Sequence, residues 1–254
     1  MERKTAAIWF SPTGGARAYV RAVAAALPGP VEELDLTRPA VRREAHAFTA
    51  ADVVVIGVPV YYGRVPAVPA LLDSLRGEDT PAVLLAVYGN RAIDDALAEL
   101  ADLAAARGFK VLAAGSFVAP HTFSARVGAG RPSGADLAAA AELGQKAADK
   151  LAGPWAPPAL PGSRPYKEFK TAPFYPVGDG KCVSCGACAR ACPVEAIDPA
   201  APRETDPARC IRCLACMKAC PTGSRHVDHP GLAATTAWLE ENFLCPERPA
   251  ELFL

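Results

Sequence analysis

At 254 residues, with 51% hydrophobic and 21% charged side chains, the chain is long enough for one mid-sized domain and a smaller second one. Twenty-seven basic residues balance twenty-seven acidic ones, and residues 1–150 and 151–254 are each neutral by count, which argues against a polybasic nucleic-acid or lipid surface. No apolar run approaches the roughly eighteen residues of a spanning helix, and the short apolar stretch near the N-terminus is too brief for a signal-peptide core, so no membrane span and a cytoplasmic location are expected.

Residues 1–152 alternate strand-like and helical patterns. TAAIWF (5–10) reads as a strand, ARAYVRAVAAAL (16–27) as a helix and VEELDL (31–36) as a short strand. DVVVIGVP (52–59) is continuous, β-branched and ended by proline, the pattern of a buried parallel strand. A helix near 68–75, a strand over 82–88, a helix over 92–108, a strand over 110–119 and a helix over 134–153 follow. Five strands alternating with helices predict an α/β doubly wound parallel sheet with right-handed crossovers. Ligands in such sheets bind beyond the strands' carboxyl ends, so the loops after strands one, three and four are the candidate site.

The first of these is FSPTGGARAY (10–19), where hydroxyls, two glycines and a helix start make an anion cradle. It lacks both the G-K-[ST] of a Walker loop and G-x-G-x-x-G. Ser11, Thr13, Gly14, Gly15 and Ala16 are its candidate contacts. The stretch is similar to the phosphate loop of flavodoxins, T/S-x-T-G-x-T, except that Ala16 stands where the last hydroxyl residue would be. The second loop supplies Pro59, Val60, Tyr61, Tyr62 and Gly63, an aromatic face with close backbone approach that suits an isoalloxazine ring. The third supplies Tyr88, Gly89, Asn90 and Arg91.

Residues 153–177 form a Pro-rich connector that cannot be a helix or a central strand. Its aromatics, among them Trp155, Tyr166, Phe169, Phe174 and Tyr175, suit packing against the first domain rather than a floppy tether.

No cysteine precedes Cys182 and nine cysteines occur from there on. Cys182, Cys185, Cys188 and Cys192 have the spacing C-x2-C-x2-C-x3-C followed by Pro193, and Cys210, Cys213, Cys216 and Cys220 repeat it before Pro221. In a reducing cytosol such a cluster reads as metal-binding. A [4Fe–4S] cube offers separated iron corners that a tight loop and one more distant cysteine can reach. Zinc ribbons instead use C-x2-C pairs separated by a long loop. The stretch resembles bacterial two-cluster ferredoxins over about residues 178–226. That resemblance implies exchange of the fourth ligand: Cys182, Cys185, Cys188 and Cys220 on one cluster, and Cys210, Cys213, Cys216 and Cys192 on the other. The segment carries more basic than acidic side chains, unlike the acidic ferredoxins it resembles. Basic groups favour the reduced, more negative cluster and should raise its potential. Cys245 lies outside both runs and reads as a buried, inert thiol. His226 and His229 are expected only to flank the second run.

Taken together, the loops, PYKEFK (165–170), PHTFSA (120–125) and the tail 237–254 resemble flavodoxin–ferredoxin fusion proteins of bacteria and archaea. The resemblance implies FMN on a flavodoxin-like domain at 1–152 and two [4Fe–4S] clusters on a small α+β ferredoxin-like domain at 178–254 with a helical tail. His121 becomes a candidate for contact with flavin or with the cluster domain. The function implied is electron transfer between FMN and the clusters, coupling one- and two-electron redox protein partners, with no catalytic acid–base or nucleophile pair. The alternative is a flavin-dependent reductase of a small substrate fed by its own ferredoxin domain.

Overall fold

The apolar, β-branched runs of the first half become the centre of one sheet. The computed structural model describes residues 3–245 and 248–254. Its first half contains β1 (Thr5–Trp9), α1 (Gly15–Ala24), β2 (Val31–Asp35), α2 (Pro39–Arg43), β3 (His46–Phe48) and β4 (Val53–Pro59). β5 (Leu75–Gly77), β6 (Thr80–Tyr88), α3 (Ala96–Ala105), β7 (Phe109–Val118) and α4 (Gly134–Leu151) follow. Among the described residues, β2, β1, β4, β6 and β7 lie side by side in that order and run parallel. Counting only these strands, the order is 2-1-3-4-5, that of the flavodoxin-like doubly wound sheet.

Alternation along each strand divides the core. Ile8, Val54, Ile56, Leu84 and Ala86 face α3, whose Leu97, Leu100 and Ala104 cover them. Ala7, Trp9, Val55, Val83 and Leu85 face α1 and α4, which contribute Tyr19, Val20, Val23, Leu143 and Ala147. Each fully buried Leu, Ile or Val contributes about 1.5–3 kcal/mol relative to exposure, so these two faces hold the layers together.

Three sequence expectations are corrected. Residues 68–75 form successive turns, not a helix, and end in β5, which pairs in parallel with β3. Pro66 and Pro69 interrupt the stretch and Ala70 takes φ +57, leaving too few residues to nucleate a helix. The helix expected at 92–108 starts only at Ala96, because Asn90 and Asp94 both have positive φ. The tail, expected to stay with the cysteine-rich part, returns to the α/β sheet: β10 (Glu251–Phe253) pairs antiparallel with β7. Ser116 Oγ donates to Glu251 at 3.0 Å across that edge, which β10 covers.

The cysteine-rich part is small and α+β. β8 (Val177–Gly178) pairs antiparallel with β9 (Arg225–His226), and α5 (Ala187–Arg190) and α6 (Ala215–Lys218) lie between them in the chain. α7 (Pro230–Phe243) then leads back over the α/β unit. Among the described residues no helix is long and apolar enough to cross a membrane.

Candidate functional site

Four loops at the carboxyl ends of β1, β4, β6 and β7 surround a cavity of about 560 Å³, within the range of small-ligand sites. Ser11, Thr13, Gly15 and Ala16 line it from the first loop. Here Gly14 takes φ +90 as the N-cap of α1 and has no side chain with which to cap it, so the Gly15 and Ala16 N–H groups remain to meet a ligand. A Cβ on Gly15 would lie 2.8 Å from that of Ala119, so the loop must pass close to the end of β7. Ser11 Oγ accepts the Arg17 N–H at 3.1 Å, which leaves its own proton free to donate.

Pro59, Val60, Tyr61 and Tyr62 line the cavity from the second loop and Tyr88, Gly89 and Arg91 from the third. Tyr61 and Arg64 exchange both backbone hydrogen bonds at 3.0 Å around Tyr62 and Gly63, each at positive φ, a tight two-residue hairpin. Burial raises the Tyr61 hydroxyl pKa well above its ordinary value, with Cys213 and Cys210 near enough to add to the effect. His121 lines the same cavity, and its Nδ1 accepts the Phe123 N–H at 3.1 Å, which puts the ring proton on Nε2. Burial, reinforced by Arg91, lowers its pKa to about 4.

Two candidate residues point elsewhere. Gly63 faces Asp94, and its carbonyl accepts the Asp95 N–H at 2.9 Å. Asn90 is buried and ties down the tail, donating to the Phe243 carbonyl at 2.8 Å and accepting the Arg248 N–H at 3.0 Å. The sequence reading missed the walls brought from far along the chain: Lys167, Glu168 and Lys170 of the connector, Ile211 and Arg212 between two cysteines, and Thr235, Trp238 and Leu239 of α7. No local pattern marks them, since only the tertiary fold carries them there.

The connector is held by specific bonds. Asp95 accepts the N–H groups of Ser163 at 2.8 Å and Lys167 at 2.7 Å, which lowers its pKa. Arg64, paired in bidentate fashion with Glu99, donates to the Lys167 carbonyl at 2.6 Å and lies 4.7 Å from the Tyr166 ring centroid. Tyr62 Oη accepts the Ala172 N–H at 3.0 Å, while its ring meets Phe169 edge-on at 5.8 Å. Phe174 is buried against Phe123. On another side, Arg42 donates to the Pro193 carbonyl at 2.5 Å and Arg43 pairs with Glu195 at 2.6 Å.

The cysteines fall into two sets. Cys182, Cys185, Cys188 and Cys220 line one small void. Cys192, Cys210, Cys213 and Cys216 line a second, whose wall includes Ile211. Ile211 therefore borders both the second void and the large cavity. The duplication extends to the backbone: Ser184 and Gly186 have positive φ before α5, and Arg212 and Leu214, each 28 positions later, have positive φ before α6. Alternating left- and right-handed residues turn successive N–H groups into an anion-binding nest.

Burial raises the thiol pKa of Cys210, Cys213 and Cys216, whereas backbone N–H groups led by that of Arg225 lower Cys220 to about 7. Among the described residues, no three His, Cys, Asp or Glu side chains gather closely enough to hold one metal ion. The sulfurs line voids instead, an arrangement suited to the separated corners of a cube. Contrary to expectation Cys245 is exposed, because α7 has ended before it. His226 and His229 bond to nearby backbone, at Ser224 and Gly231.

Residues 181–224 match the family described as 4Fe-4S dicluster domain. No curated protein matches the chain. Among solved structures, a flavodoxin from the domain Archaea is similar at 15% identity and a TM-score of 0.40, over 59% of this chain and 99% of that one. The flavodoxin of Streptococcus pneumonia TIGR4 is similar at 13% identity and a TM-score of 0.37, over 59% of this chain and 97% of that one.

Proposed function

We propose that the chain is an electron-transfer flavo-iron–sulfur protein, with FMN in the large cavity and a [4Fe–4S] cluster in each cysteine-lined void. The observation that carries this reading is Ile211, a single side chain shared by the wall of the cavity and the wall of the second void.

The residues present fit both groups. For FMN, Ser11, Thr13 and the N–H groups of Gly15 and Ala16 offer a phosphate cradle at the start of α1, and Tyr61, Tyr62 and Tyr88 offer aromatic walls. For the clusters, each void has four thiols, a backbone nest and a nearby buried arginine, Arg225, whose Nε lacks a hydrogen-bond partner among the described residues. When bound, FMN would supply one- or two-electron chemistry and each cluster one-electron chemistry. The chain's own part is placement. The connector bonds and the α2 contacts hold the cysteine-rich part against the cavity, and Ile211 borders both the cavity and the second void.

Anaerobic reconstitution with FMN, iron and sulfide tests the reading. One flavin and two four-iron clusters per chain are expected. A chain that takes up iron and sulfide but no flavin would overturn the assignment of the cavity.

A further inference from the structure

Arg225 is 3% exposed, yet among the described residues it has no charged partner. Among the described residues, Nη1 donates to the carbonyls of Pro202 and Arg203 at 3.1 Å each and Glu204 at 3.4 Å. Nη2 donates to the Pro176 carbonyl at 2.7 Å and to Thr205 Oγ1, and lies 3.9 Å from Cys216 Sγ. Nε is buried with no hydrogen-bond partner among the described residues. A guanidinium stays charged in any protein environment, and burying one without a counter-charge is strongly unfavourable. Carbonyl dipoles orient the group but supply no net negative charge.

The residue stands between the two cysteine sets. It lines the void of Cys182, Cys185, Cys188 and Cys220. Its guanidinium reaches toward Cys216 of the other set. A [4Fe–4S] cluster held by four thiolates is net negative in both oxidation states and more so when reduced, so two such clusters provide the missing counter-charge.

We propose that Arg225 is the shared counter-charge of both cluster sites, holding both reduction potentials up, with the larger effect on the site of Cys216. This rests on the cluster assignment above. The positive charge favours the form carrying the extra electron, and hydrogen bonds to the sulfurs act in the same direction. The carbonyl cage keeps the guanidinium in place whether or not the clusters are reduced, so the bias is built in. Arg225 acts through the sulfurs as a positioning and charge-supplying residue.

The test is an EPR-monitored redox titration of the full chain with its cofactors, for the wild type, Arg225→Met and Arg225→Lys, with iron and sulfide quantified in each. Arg225→Met should shift both midpoint potentials to more negative values, the cluster on Cys192, Cys210, Cys213 and Cys216 further than the other. Arg225→Lys, which keeps the charge but forfeits most of the carbonyl bonds, should stay closer to the wild type. If Arg225→Met assembles no clusters while Arg225→Lys does, the need for the charge is upheld. Unmoved potentials in Arg225→Met, or equal shifts or equal cluster loss in both variants, would make Arg225 a structural clamp only and overturn the proposal. Absence of the clusters from the wild type would instead refute the assignment on which it rests.

Discussion

At the scale of single residues, two positions make separable predictions. Ala16 is buried at the start of α1 and lines the cavity where the flavodoxin loop pattern carries a hydroxyl. Ala16→Thr should tighten FMN binding by about 0.5–1.5 kcal/mol, the net contribution of one hydrogen bond. Flavin titration of the cluster-loaded chain checks this, and unchanged or weaker affinity would mean that position 16 does not meet the phosphate. His121 predicts a pH dependence. Its pKa falls from 6.5 to about 4 in the folded chain, first through burial and then through Arg91. Above pH 6.5 the imidazole is neutral in both states and adds no slope. As the pH drops from about 6.5 towards 4, the unfolded chain takes up the proton first, so stability is lost across that window. Denaturant midpoints should therefore fall less steeply with acid in His121→Gln than in the wild type, and parallel profiles would contradict the buried neutral ring.

Among the elements, the connector is the one whose role depends least on propensity and most on bonds it receives. Asp95 grips it at two backbone N–H groups, and charge-assisted bonds of this kind are each worth about 1.5–3 kcal/mol. Asp95→Ala should loosen the segment and speed its cleavage between Ser163 and Ala172 in limited proteolysis; an unchanged cleavage rate would show that the other contacts suffice. Replacing residues 153–177 by a Gly/Ser chain of equal length should leave both cofactor types bound but slow flavin reduction through the clusters, and an unchanged rate would rule out a positioning role. The five parallel strands and the cysteine runs were legible because continuous β-branched stretches and fixed thiol spacings are local patterns. The supposed helix at 68–75 misled because its apolar spacing is helical while two prolines and the left-handed Ala70 break the backbone. β10 was illegible for another reason: three residues, Glu251–Phe253, carry too little pattern to announce a partner in β7.

For the molecule as a whole, sequence placed most of the candidate residues around one cavity but not the walls that close it. The loops after three strands could be read from their glycines, hydroxyls and tyrosines. Ile211, Arg212, Trp238 and Leu239 could not, since their place depends on how the cysteine-rich part and α7 fold back across the α/β unit. Asn90 failed in the opposite direction, sitting in a site loop while its side chain fastens the tail. What the fold adds is an order: the void of Cys192, Cys210, Cys213 and Cys216 and the cavity share Ile211 in their walls. That the second site exchanges electrons with the flavin is tested most directly by anaerobic stopped-flow bleaching of flavin absorbance in wild type and Cys192→Ser, using a small reduced ferredoxin as donor, with dithionite reduction of the bound flavin as a control. Cys192→Ser should keep flavin and its dithionite reduction while losing nearly all ferredoxin-driven bleaching; bleaching at the wild-type rate in a variant shown to lack the second cluster would contradict it.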